Sequence, residues 1–143
     1  MPTPQEKASA VNLIAAVSNE QIGLVAALLA HGAHADIPGD DGVYALGLAT
    51  FRGRLDIVKL LLANGAGVNS RHPKGCSALY TAITSGSVPI LRELLAAGAN
   101  PNKNMRSSDF STALHWATRP AKGRPRNITI MKELIKAGAR LDG

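Results

Sequence analysis

The motif Leu-Leu-x-x-Gly-Ala returns along this 143-residue chain at a nearly fixed interval. It reads Leu28-Leu29-Ala30-His31-Gly32-Ala33, then Leu61-Leu62-Ala63-Asn64-Gly65-Ala66, then Leu94-Leu95-Ala96-Ala97-Gly98-Ala99. A fourth copy, Leu134-Ile135-Lys136-Ala137-Gly138-Ala139, stands near the end. The glycines at 32, 65 and 98 are 33 residues apart, and the last follows after 40. A period between about 20 and 50 residues marks stacked units that share a continuous core, not one central globular core. Such stacks present an extended surface and suit binding better than enclosed catalysis.

A second element precedes each Leu-Leu pair. It is Gly42-Val43-Tyr44-Ala45-Leu46-Gly47-Leu48-Ala49 in the second unit and Gly75-Cys76-Ser77-Ala78-Leu79-Tyr80-Thr81-Ala82 in the third. The fourth ends Thr112-Ala113-Leu114-His115-Trp116-Ala117, and the first is a degraded Val11-Asn12-Leu13-Ile14-Ala15-Ala16. Leu13, Leu46, Leu79 and Leu114 share one position, and Ala16, Ala49, Ala82 and Ala117 another, three residues on. That spacing puts both on one face of a short helix. Gly53 and Gly86 then stand where a helix ends in a left-handed residue. A second helix carries Ile57, Val58 and Leu61 and stops at Gly65.

These paired elements, in this order and at this period, resemble the ankyrin repeat over about residues 6–142. The resemblance implies an all-α fold, a solenoid of helix-turn-helix units joined by hairpin-like turns. It divides a single domain, 1–143, into repeats of about 6–38, 39–71, 72–106 and 107–143. The family's Thr-Pro pair is never intact, appearing as Tyr44-Ala45, Ser77-Ala78 and Thr112-Ala113, and its loop-bracing histidine survives only as His115. Repeat one lacks the glycine-bearing turn and repeat four stops at its second helix, so both are expected to act as caps that turn a polar face to water. Repeat four also carries an insertion, Arg119-Pro120-Ala121-Lys122-Gly123-Arg124-Pro125-Arg126, whose prolines and glycine keep it out of helix.

Composition narrows the function. One cysteine, Cys76, excludes an internal disulfide framework and fits a reducing compartment. No apolar stretch reaches the roughly 18–20 residues of a membrane span, and residues 1–7 do not read as a secretory signal. A cytoplasmic protein with no membrane association is expected. The net charge of +6 is unevenly spread. Residues 1–50 hold one base against five acids, 51–102 hold six against two, and 103–143 hold nine against three.

Catalytic patterns are missing. His72 with Cys76, and His31 with His34, give short ligand-like spacings, but a structural zinc needs about four ligands and no second pair completes either. A Cys–His nucleophile would need an orienting group and an enclosed site. Phosphate-cradling glycine motifs are absent, because the glycines here punctuate helices. The expectation is a non-enzymatic chain with no cofactor and no metal. The bases at Lys103, Arg106, Arg119, Lys122, Arg124 and Arg126 raise an alternative, nucleic-acid binding through the basic fourth repeat. Against it, no aromatic is interleaved for stacking, and charge alone gives only non-specific attraction.

The resemblance further implies a partner protein bound on a concave strip made of turn tips and the exposed face of each first helix. Carried onto this chain, the strip comprises Asp40, Asp41, Val43, Phe51 and Arg52 in repeat two, and His72, Lys74, Cys76, Thr84 and Ser85 in repeat three. Repeat four adds Asp109, Ser111 and Arg119. Phe51 stands out, because an exposed aromatic beside an arginine has the make-up of a binding hot spot. The partner is expected to carry an acidic patch that the basic fourth repeat steers, with this chain, itself a monomer, acting as an inhibitor or regulatory subunit.

Overall fold

A computed structural model describes residues 3–39, 42–69, 77–102, 113–118 and 128–139, with the backbone alone for Lys7, His115 and Trp116. Its helices are α1 (Pro4–Ser18), α2 (Ile22–Ala30), α3 (Ala45–Phe51), α4 (Leu55–Ala63), α5 (Ala78–Ser85), α6 (Val88–Ala96), α7 (Ala113–Thr118) and α8 (Ile128–Lys136). No strand is present among the described residues. The all-α solenoid expected from the repeat is the fold observed.

Packing follows the period. Each first helix touches its own second helix, and α1, α3, α5 and α7 stack in one row while α2, α4, α6 and α8 stack in the other. Neighbour-on-neighbour contact of this kind makes stability a sum over units and the interfaces between them. The positions singled out by spacing form the shared core. Leu13, Leu46, Leu79 and Leu114 are buried, as are Ala16, Ala49, Ala82 and Ala117. From the second row come Ile57, Ile90 and Ile130, with Leu61, Leu94 and Leu134 beside them. Each fully buried Leu or Ile contributes roughly 1.5–3 kcal/mol relative to exposure. Small alanines at the second position let the first-row helices approach one another.

Local chemistry sets where the helices begin and end. Thr3 opens α1 with a capping box: its hydroxyl accepts from the Glu6 N–H at 3.2 Å, and the Glu6 carboxylate accepts from the Thr3 N–H at 2.6 Å. Pro4 follows at the first helical position, where its missing N–H costs nothing. Helix α1 thus starts a little ahead of residue 6, where the repeat pattern places the first unit. At the far end of α1, α3 and α5 the chain reverses through a left-handed residue. Gly53 and Gly86 hold φ of 71° and 74°, and Glu20, one period earlier, is forced to 56°. A side chain at that φ is strained, which glycine avoids.

The expected polar finish at the last repeat is only partly found. Lys132 and Lys136 are exposed on α8, but Ile128 and Ile135 are exposed as well, at 63% and 58%. The outer edge of α8 is therefore mixed, with two isoleucines set among its charges.

Candidate functional site

The first-row helices end on one side of the stack, and their last residues recur with the period. Phe51 is the final residue of α3 and Arg52 its C-cap. One repeat later the same two places hold Thr84 and Ser85, in the last turn of α5. One repeat earlier they hold Ser18 and Asn19. Because α1, α3 and α5 pack side by side, these pairs form successive rungs of one strip.

The rungs differ in chemistry. Phe51 is 72% exposed, the largest value among the described large hydrophobic residues, and Arg52 beside it is also exposed. Thr50, one residue before, points the other way: it is buried, and its hydroxyl donates to the Leu46 carbonyl at 2.8 Å. Helical rotation therefore turns Thr50 inward and Phe51 outward. On the next rung both hydroxyls bond their own helix. Thr84 donates to the Thr81 carbonyl at 3.1 Å, and Ser85 donates to it at 2.7 Å. Thr84 and Ser85 thus offer a partner mainly acceptor lone pairs, whereas Phe51 offers a whole aromatic face. A partner that desolvates the ring gains area-proportional stabilisation.

Val43 is half-buried ahead of α3, and its carbonyl accepts from the Gly39 N–H at 3.0 Å. That bond ties the chain ahead of α3 back to Gly39. Asp40, Asp41, His72, Lys74, Cys76, Asp109, Ser111 and Arg119 lie outside the described residues, as do the other bases of the insertion and the side chains of His115 and Trp116. Of the expected strip, the structure brings together Phe51, Arg52, Thr84 and Ser85.

Sequence reasoning passed over two polar ladders that hold these rungs in register. The first uses Asp36, Asn69 and Asn102, spaced by 33 residues. Asp36 accepts from the Gly67 N–H at 3.0 Å, and Asn69 accepts from the Asn100 N–H at 3.1 Å. Asn102 donates to the Gly138 carbonyl at 2.9 Å. Each joins the loop of one repeat to the loop of the next. Their identical spacing was the available signal, but it says nothing about which backbone groups lie opposite.

The second ladder is ionic and runs along the second row. Lys59 on α4 meets Glu93 on α6 at 3.8 Å, and Arg92 on α6 meets Glu133 on α8 at 3.1 Å. Lys59 and Arg92 hold the same place in successive repeats, as do Glu93 and Glu133. At the α1 end, Arg54 bridges Asp56 at 3.0 Å and Glu20 at 3.5 Å. Hydrogen bonding from Arg54 holds the Asp56 carboxyl below the usual carboxylate range, and the bond to Asp56 raises the Arg54 guanidinium. The Thr3 backbone N–H likewise lowers Glu6, which also meets His34 at 3.3 Å. These pairs are at least partly open to solvent, which screens them and leaves each little net stabilisation.

Among the described residues no three His, Cys, Asp or Glu side chains gather closely enough to hold a metal ion. No helix of the structure, over the described residues, is long and apolar enough to cross a membrane. The arrangement is that of a helical-repeat solenoid, a class whose repeats display residues instead of enclosing a substrate. A family model described as ankyrin repeats (3 copies) matches residues 13–105, well over half of the chain. The chain belongs to the ankyrin-repeat family, whose repeats generally mediate protein–protein interaction. No curated protein matches it.

Proposed function

We propose that the chain is a non-enzymatic binding module that recognises a partner protein through the strip of first-helix ends, with Phe51 as its anchor. The four repeats, about 6–38, 39–71, 72–106 and 107–143, form one domain that works as a monomer in the cytoplasm. The observation that carries the reading is the exposure of Phe51, 72%, beside an exposed Arg52 on a framework otherwise filled by small and aliphatic residues. A few residues dominate the energy of a protein interface, with large aromatic rings and arginine prominent among them. Nine bases in residues 103–143 favour a partner with an acidic patch, because opposite charge speeds encounter. On this reading the chain acts as an inhibitor or regulatory subunit of the protein it binds.

The test is affinity capture from nuclease-treated native lysate, comparing the wild type with a Phe51→Ala/Arg52→Glu double variant of unchanged thermal stability. A protein retained by the wild type and lost by the variant supports the strip. Capture indifferent to the variant removes Phe51 from the interface. Capture that disappears with nuclease and falls steeply with salt favours the basic fourth repeat as a nucleic-acid binder instead.

A further inference from the structure

Positions equivalent to the two exposed isoleucines of α8 are better covered elsewhere in the stack, although Ile22 of α2, equivalent to Ile128, is itself 39% exposed. Counting back from the glycine that follows each second-row helix, Ile128 matches Leu55 and Val88, and Ile135 matches Leu62 and Leu95. Those four residues pack against the core, half-buried, while Ile128 and Ile135 are 63% and 58% exposed. What α4 and α6 have, and α8 lacks among the described residues, is a following second-row helix laid against them.

The charge pattern breaks at the same place. Lys59, Arg92 and Lys132 are equivalent positions. The first two each reach a glutamate on the next helix, Glu93 and Glu133. Lys132 is exposed and has no carboxylate partner among the described residues. Residues 128, 132 and 135 fall on one helical face, at i, i+4 and i+7. Lys136, exposed beside them, adds a second positive charge. This face therefore repeats, in both apolar spacing and charge, the two faces that the chain itself covers with a helix bearing a glutamate.

We propose that the outer face of α8 docks an acidic amphipathic helix from another protein, seating apolar side chains on Ile128 and Ile135 and a carboxylate on Lys132. The internal interfaces supply the template: α6 covers α4 with Ile90 and Leu94 turned inward and Glu93 on Lys59. Recognition of this kind lays one apolar helix face on another, with flanking charges setting register. It is separate from the Phe51 strip, which sits at the ends of the first-row helices.

The probe is a fluorescent, helix-stapled peptide of the chain's own residues 86–99, the segment containing α6. It is titrated against the full-length chain and read by anisotropy. Wild type binds, and Ile135→Ser weakens binding about tenfold, as expected for losing a buried isoleucine. Lys132→Glu weakens it at least about threefold, and a Glu93→Lys peptide restores binding to Lys132→Glu. Phe51→Ala leaves it unchanged, so failure here and failure of the strip are separable. Both substituted residues are exposed, and circular dichroism confirms that the variants remain folded. Absence of binding, or binding indifferent to Ile135→Ser and to the charge exchange, overturns the proposal. Sedimentation velocity of the chain alone covers the other occupant: self-association abolished by Ile135→Ser would assign the face to a second copy and overturn the proposal as well.

Discussion

Helices α3 and α5 hold the same place in successive repeats, yet they are finished differently. Buried positions agree: Ala45 with Ala78, Leu46 with Leu79, Ala49 with Ala82. The ends disagree. Ser77 caps α5 by accepting from the Tyr80 N–H at 3.2 Å, whereas Tyr44 gives α3 no side-chain cap. At the other end α5 finishes in hydroxyls that bond its own carbonyls, and α3 finishes in Phe51 and Arg52. The two repeats therefore share a core, and their differences lie where a partner can reach. Core positions are fixed by contacts with both neighbours, so changes there are costly. The helix ends meet water and can change freely.

The largest test of that shared core is Leu61→Ala against Leu94→Ala, equivalent positions that are both fully buried. Each is expected to cost about 2–5 kcal/mol in urea unfolding, through lost burial and a cavity. Costs that differ by more than about 2 kcal/mol would break the equivalence of the two repeats. Next comes the left-handed turn. Gly86→Ala is expected to cost about 1 kcal/mol, all of it conformational, since a Cβ there meets nothing within 4 Å. Glu20→Gly should gain a similar amount, reduced by the loss of its exposed pair with Arg54 at 3.5 Å. A loss on Glu20→Gly would show that the ion pair outweighs backbone strain.

Ser77→Ala sharpens the difference at the helix starts. Removing the cap is expected to destabilise by about 0.5–2 kcal/mol, while Tyr44, which caps nothing, has no such contribution to lose. The smallest effect is acidic. Glu6 and Asp56 have lowered carboxyls in the folded chain, from their ordinary 4.5 and 3.8. Their contribution is complete above those ordinary values and is lost as pH falls below them through the lowered folded values. Glu6→Gln should therefore flatten the low-pH fall in melting temperature without changing its value near pH 7 by more than a few degrees.

Much of the fold was legible because a repeat carries its own alignment. Leu13, Leu46, Leu79 and Leu114 could be placed inside by their shared position, and all four are buried. The outward turn of Phe51 followed from the same alignment, since its neighbours Ala49 and Thr50 take the inward places. Thr3 was legible in principle, because Thr-x-x-Glu ahead of an apolar run is a capping signal, but it lies outside the repeat motif. The strip was less legible. Periodicity predicts which residues share a rung. It does not show that Thr84 and Ser85 spend their hydroxyls on their own helix, or that the Val43 carbonyl accepts from the Gly39 N–H.

The sequence by itself determined the period, the helices, the buried face and the left-handed turns, because each follows from a local pattern and the steric limits of a few residues. The tertiary structure decided what lies opposite what. Lys59 finds Glu93, Asn69 finds the Asn100 N–H, and Ile135 is left uncovered where Leu62 and Leu95 pack against the core. Those outcomes depend on how far one repeat is shifted and rotated onto the next. That displacement is set by the packing of whole helices, and no single motif encodes it.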